Sequence, residues 1–176
     1  MGMTKTALFA TALLVTTTPA FAEVTTRSDN AFTLTYESSV AASADDILNT
    51  IGRPAAWWSS AHTYSGDAAN ISLDLRPGGC WCEALPGGGV KHGEVVLVWP
   101  EQRMIRFEAP LGPLQGMGAD AVLTMSWSDT PNAATRQLKW TFVVNGPGAG
   151  AMADPVDGVM AEQFGRLAAS LGAVMP

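Results

Sequence analysis

The chain has 176 residues, a formal net charge of −6 at pH 7, and 47% hydrophobic against 15% charged residues. This composition excludes an intrinsically disordered chain, because a chain of this length and hydrophobicity can bury a substantial core. The acidic balance predicts repulsion from nucleic acid and from anionic membrane surfaces, so we expect neither as a partner.

Residues 1–22 have the pattern of a secretory signal peptide. Lys5 precedes an apolar run, and Pro19 is followed by small residues of an Ala-x-Ala cleavage site that ends at Ala22. The run is shorter than the roughly 20 residues that span a bilayer. We therefore predict cleavage after Ala22, a periplasmic or secreted protein without a stable membrane anchor, and a single domain over 23–176. The alternative, a buried N-terminal helix, is disfavoured by Pro19 and the threonines before it.

The first part of the predicted domain combines one strand with one short helix. Residues 23–30 are polar and we expect them to fray, whereas apolar side chains alternate over 32–40, as in a half-buried strand. Ser43 and Asp46 have capping-box spacing, which predicts a helix over 44–51.

A second short helix is predicted from Pro54 through Trp57 and Trp58, because proline suits a first helical turn. Adjacent helical residues diverge by about 100°. We therefore expect one tryptophan to anchor the helix and the other to border an opening.

Period-two apolar patterns recur after a polar loop at 63–70 and predict further strands. They cover 71–75, 80–85, 90–99, 104–109, 121–128 and 136–144. The connection 110–120 is long for a hairpin, apolar and glycine-rich, which suits a lid over a cavity mouth. Asp154 is expected to cap, and Pro155 to open, a final amphipathic helix that reaches Leu171.

This order of elements, with the tryptophan pair, the turn 76–79 (Arg-Pro-Gly-Gly) and the valine strand opened by Gly93 and Glu94, resembles the START-like (SRPBCC, Bet v 1-like) superfamily. The resemblance is to its branch of Hsp90 ATPase activator homologues and polyketide cyclases. It implies an α+β helix-grip fold, in which a curved antiparallel sheet of about seven strands wraps around the long C-terminal helix. Two short helices follow the first strand, and a cavity lies between sheet and helix. From the residues of the turn 76–79 themselves, we expect Gly78 and Gly79 to supply the positive backbone dihedrals of a tight turn.

The implied cavity would hold a hydrophobic small molecule against inward-facing aromatic, leucine and methionine side chains. These candidate ligand contacts are Trp57, Trp58, Trp81, Phe107, Leu114, Met117, Met125, Trp127, Trp140, Met160 and Phe164. A packed core is the alternative for Trp81, Trp127 and Trp140, since most of their neighbours two positions away are apolar or bulky.

Titratable side chains near the expected opening are candidates for acid–base catalysis. They are His62, His92, Tyr64, Asp67 and Glu94, with ordinary surface or hydrogen-bonded roles as the alternative. No G-x-S-x-G nucleophile motif is present, which disfavours acyl transfer by that mechanism. We expect no cofactor and no metal, and a monomer by default.

Cys80 and Cys82 are the only cysteines, and we expect unpaired buried thiols on one face of a strand. A bridge between them would need alpha carbons near the upper limit of about 6.8 Å. A disulfide, and tetrahedral zinc with His62 and His92, are the alternatives.

Three functions remain open at this point. We favour an exported protein that binds a hydrophobic small molecule. The first alternative is a cyclase- or aromatase-type enzyme that uses histidine and acidic residues at the cavity. The second is an Hsp90-activator-like co-chaperone, which export would separate from a cytosolic chaperone.

Overall fold

The computed structural model describes residues 23–174, so the predicted signal peptide lies outside the described residues. Within this range, eight antiparallel strands form one open sheet in the order β1-β2-β8-β7-β6-β5-β4-β3. The strands are β1 (Glu23–Ser28), β2 (Ala31–Val40), β3 (Ile71–Leu73), β4 (Cys80–Leu85), β5 (Gly88–Trp99), β6 (Met104–Glu108), β7 (Asp120–Asp129) and β8 (Arg136–Asn145). The helices are α1 (Ala44–Ile51), α2 (Pro113–Gly116) and α3 (Ala153–Ser170). None of the helices in the described range is long and apolar enough to cross a membrane.

The strand count is eight rather than about seven, because the polar segment expected to fray forms the edge strand β1. Its backbone pairs with β2 through partners such as Arg27 and Phe32. The Arg27 guanidinium donates hydrogen bonds to the Gly150 carbonyl (2.8 Å) and to the Asp154 carboxylate (3.0 Å). A polar edge strand is therefore held by backbone pairing and by contacts with the start of α3.

The predicted capping box at the start of α1 is confirmed. The Ser43 hydroxyl accepts from the Asp46 backbone N–H (3.1 Å), and the Asp46 carboxylate accepts from the Ser43 backbone N–H (3.4 Å). The second predicted helix is only a single 3₁₀ turn over Pro54–Ala56, which the two tryptophans follow. The predicted cap at Asp154 is wrong, because α3 already begins at Ala153.

The turn between β3 and β4 needs its two glycines for different reasons. Gly78 has a φ of +79°, the positive value that was predicted. Gly79 is required for space, because a Cβ at this position would clash with the carbonyl oxygen of Asp74.

Aromatic side chains fill the space between the sheet and the C-terminal half of α3. Phe164 of α3 stacks on Tyr36 (5.6 Å between ring centroids) and meets Trp140 edge-on (5.5 Å). Trp140 in turn contacts Trp57 at 5.8 Å. Burial of each large apolar side chain stabilises the fold by roughly 1.5–3 kcal/mol. The interior is therefore solid in this region, and space for a guest lies elsewhere.

Candidate ligand-binding site

A cavity of about 470 Å³ lies at the N-terminal half of α3. Four parts of the chain form its wall: α3 and the turn before it, the segment 58–64, the beginning of the connection between β6 and β7, and one residue of β5. The lining residues are Trp58, His62, Thr63, Tyr64, His92, Leu111, Gly112, Pro113, Met152, Pro155, Val156, Val159 and Met160. Apolar side chains dominate this set, and the two histidines are its titratable groups together with Tyr64.

His92 reaches the cavity because β5 contains a β-bulge. Trp81 pairs with Gly93 and Cys82 pairs with Lys91, so His92 is the extra residue on β5. A bulge re-aims a side chain relative to simple alternation. His92 is consequently buried, as is its neighbour Gly93.

A buried carboxylate holds the imidazole of His92 in place. The Nε2 atom of His92 lies 2.8 Å from Oε2 of Glu83, and both side chains are enclosed. The Glu83 carboxylate also accepts hydrogen bonds from the backbone N–H groups of Tyr64 (3.1 Å) and Ser65. Burial raises the pKa of Glu83, but the hydrogen bonds from Ser65, Tyr64 and His92 outweigh it, so the pKa is lowered overall. Glu83 is therefore ionised at neutral pH.

A second pair of titratable groups stands at the mouth of the cavity. Nε2 of His62 lies 3.0 Å from Oε2 of Glu162 on α3, and both side chains are partly exposed. The pKa of Glu162 is lowered, mainly by the Ser59 side chain and further by His62. Because the pair is open to solvent, the attraction between its charges is screened.

The structure brings three of the five candidate catalytic residues together, namely His62, Tyr64 and His92. Asp67 is exposed, and its carboxylate caps a 3₁₀ turn by accepting from the Ala69 backbone N–H (2.9 Å). Glu94 is likewise away from the cavity, where it pairs with Lys91.

Of the candidate ligand contacts, Trp58 and Met160 line the cavity. Eight others are buried core residues outside its wall: Trp57, Trp81, Phe107, Leu114, Met125, Trp127, Trp140 and Phe164. Met117 is partly buried and packs against the same core. These side chains lie outside the cavity wall because they pack in the core; for example, the Trp81 ring meets the Trp58 ring edge-on, with 5.1 Å between ring centroids.

Glu83 is not among the site residues that the sequence predicts. The available signal was its position two residues after Trp81 on β4, which places an acid on the buried face of a strand. An acid in that position requires a partner, and His92 is that partner.

The expectation of unpaired buried thiols is wrong, because Cys80 and Cys82 form a disulfide and are partly accessible. Their Cα atoms are 5.4 Å apart, well below the expected limit. The register shift in the β4–β5 pair falls between Trp81 and Cys82, and bulges bend the strands locally. Both sulfurs belong to the disulfide, so neither is a thiolate that could ligate zinc as in the zinc alternative.

The sequence matches no protein-family model and no curated protein. Several solved structures are nevertheless similar over most of the chain. A point mutant of norcoclaurine synthase from Thalictrum flavum, in complex with a transition-state analogue, has 18% identity and a TM-score of 0.54 over 80% of this chain and 94% of that one. A conserved protein of unknown function from Enterococcus faecalis has 9% identity and a TM-score of 0.57 over 88% and 77% of the two chains. An uncharacterised protein from Bacillus thuringiensis has 14% identity and a TM-score of 0.56 over 79% and 98%. At these identities the similarity establishes the fold alone, which is a Bet v 1-like fold.

Proposed function

We propose that this protein is an exported binding protein that holds a hydrophobic small molecule in the cavity beside α3. The observation that carries the proposal is the cavity itself, about 470 Å³ in volume with a mostly apolar wall. This volume lies within the range of about 300–1,000 Å³ that is common for small-molecule sites.

The wall provides affinity through burial of apolar surface. Val156, Val159 and Met160 of α3 line the cavity together with Leu111 and Pro113. Each square ångström of apolar surface that a guest removes from water contributes roughly 25 cal/mol. Apolar contact with this wall is therefore the source of affinity that we propose.

Two observations support the export part of the proposal. The disulfide between Cys80 and Cys82 is typical of an oxidising compartment. The first described strand begins at Glu23, so cleavage after Ala22 would leave the sheet intact. Cell fractionation followed by N-terminal sequencing tests this part: we expect an exported product that begins at Glu23. A cytosolic product that keeps residues 1–22 would contradict it and revive the co-chaperone alternative.

The binding proposal is tested by filling the cavity. Val159→Trp places an indole where the guest would lie, whereas Val96→Trp adds the same side chain at an exposed position of β5. Equilibrium dialysis with 2-methylnaphthalene should show uptake by the wild type and by Val96→Trp, and strongly reduced uptake by Val159→Trp. Equal uptake by the two variants, or none by the wild type, would refute the site.

A cyclase- or aromatase-type enzyme is the second candidate, and the His92–Glu83 pair is the observation that favours it. An imidazole held by a carboxylate is a suitable general base at a cavity wall. Native mass spectrometry of the exported protein, before and after incubation with its copurifying guest, separates the two functions. A binding protein returns the same mass, whereas an enzyme returns a product, and His92→Ala should stop that conversion. On the sequence motifs we also propose the finer assignment to the Hsp90-activator and polyketide cyclase branch.

A further inference from the structure

The two ring nitrogens of His92 have different environments. Nε2 faces the Glu83 carboxylate at 2.8 Å, whereas Nδ1 has no hydrogen-bond partner among residues 23–174. The ring itself forms part of the cavity wall. Tyr64 and Trp81 stand beside it, with ring centroids 5.9 and 6.4 Å away, and limit its rotation.

The Glu83 carboxylate decides which nitrogen carries the proton. An ionised carboxylate can only accept hydrogen bonds, so Nε2 must be protonated to bond with it. In the neutral ring, Nδ1 then carries a lone pair and is an acceptor. Because two backbone N–H groups donate hydrogen bonds to Glu83, its carboxylate cannot rotate away from His92. Glu83 is thus a positioning residue for His92.

We propose that the guest is a hydroxylated aromatic molecule whose hydroxyl group donates a hydrogen bond to Nδ1 of His92. This inference rests on the proposed function and narrows its ligand class. A guest without a donor would cover Nδ1 with hydrocarbon and leave a buried acceptor unpaired, which disfavours binding. The aromatic rings of Trp58 and Tyr64 in the same wall suit a flat guest.

Charge in the wall disfavours an anionic guest. The ionised Glu83 lies directly behind His92, and Glu162 pairs with His62 at the mouth. A guest carboxylate near Nδ1 would share one imidazole with a second buried negative charge. The hydroxyl group donates without adding charge, so it suits this position better.

The first test compares matched probes by equilibrium dialysis with the mature protein. We expect 2-naphthol to bind at least about tenfold more tightly than 2-methylnaphthalene, and 2-naphthoate to bind more weakly than 2-naphthol. Equal affinity for the two neutral probes overturns the hydroxyl inference and leaves the binding function standing. Failure of every probe to bind overturns both. Tightest binding of 2-naphthoate overturns the inference in favour of an acidic guest.

The second test reverses the roles of the imidazole nitrogens. In Glu83→Gln, an amide nitrogen at the Oε2 position donates to Nε2 of His92 and the amide oxygen keeps the Ser65 N–H, while the Tyr64 N–H loses its acceptor. Nδ1 becomes a donor, so preference should move from 2-naphthol to 2-acetylnaphthalene, whose ketone accepts. Glu94→Gln makes the same chemical change at the surface pair with Lys91 and should keep the wild-type preference. The His92 tautomer of Glu83→Gln is read by NMR spectroscopy, and a ligand preference that does not follow this tautomer contradicts the positioning role.

NMR spectroscopy reads the His92 tautomer in the wild-type protein and needs a variant only to assign the signals. The protein has only two histidines, so His92→Phe identifies the His92 signals by their disappearance. A ¹H–¹⁵N spectrum of the wild-type imidazoles should show His92 protonated at Nε2. Its Nδ1 signal should shift when 2-naphthol is added and stay in place with 2-methylnaphthalene. The opposite tautomer, or identical responses to the two probes, would refute the inference.

Discussion

Replacement of Glu83 by alanine should destabilise the fold strongly, because this one buried side chain accepts hydrogen bonds from three donors, one of them buried and two partly buried. They are the backbone N–H groups of Tyr64 and Ser65 and the Nε2–H of His92. A buried donor left without a partner costs about 1–3 kcal/mol. Water from the adjacent cavity can reach some of them, which favours the lower end of that range. We therefore expect Glu83→Ala to lower the free energy of unfolding by about 3 kcal/mol, a large part of the roughly 5–15 kcal/mol typical of a domain.

Urea denaturation followed by tryptophan fluorescence measures this loss, since the chain contains six tryptophans. Glu94→Ala is the matched control, because Glu94 pairs with Lys91 at the surface. Such exposed pairs contribute about 0–1 kcal/mol. If Glu83→Ala costs no more than Glu94→Ala, Glu83 does not hold its three partners as described.

The contribution of Glu83 to the free energy of unfolding should decrease as the pH is lowered. Its pKa in the folded protein lies below the ordinary value of 4.5, because hydrogen bonds from Ser65, Tyr64 and His92 outweigh the effect of burial. The stabilisation is therefore complete above the unfolded-state pKa and is lost as pH falls through the folded-state pKa. The difference in unfolding free energy between wild type and Glu83→Gln should narrow as pH is lowered from neutrality to below 4.5. A difference that widens on acidification would refute the assignment.

Two further predictions concern β4 and β5. The bond between Cys80 and Cys82 closes a very short loop, so the Cys80→Ser, Cys82→Ser double variant should lose no more than about 2 kcal/mol in urea denaturation; a larger loss would mean that the bond does more than close that loop. Gly93→Ala should cost about 1–3 kcal/mol by overpacking, since the new Cβ would lie 2.7 Å from the Glu108 carbonyl oxygen, whereas Gly88→Ala has open space and should be nearly neutral. Equal melting temperatures for the two alanine variants would contradict the close approach of β5 and β6.

The sequence predicts most of the fold because apolar periodicity and capping signals are local. The alternation over 32–40 appears in the structure as β2, and Ser43 with Asp46 marks the start of α1. β1 carries no such signal. It is an edge strand whose stability comes from backbone pairing and from Arg27, and neither leaves a period-two apolar pattern.

The candidate site is less predictable because it depends on a local departure from alternation. Strict alternation would place His92 and Glu94 on the same face of β5, yet the bulge turns His92 inward, while Glu94 pairs with Lys91. The short distance between Cys80 and Cys82 occurs in the same β4–β5 pair. A β-bulge depends on the pairing between two strands, so it cannot be predicted from the sequence of either strand alone.

The same packing that fills the interior determines where specificity can arise. Trp140 and Phe164 occupy the space under the C-terminal half of α3, so a guest cannot extend there without displacing core aromatics. A bound guest would be confined to the cavity at the N-terminal half of α3, which the segments 111–113 and 58–64 also line. Substitutions in these two segments change the cavity wall directly, whereas changes to the core aromatics reach the cavity only through loss of stability. Ligand preference in proteins with this packing should therefore follow the two segments and His92 rather than the indoles of the core.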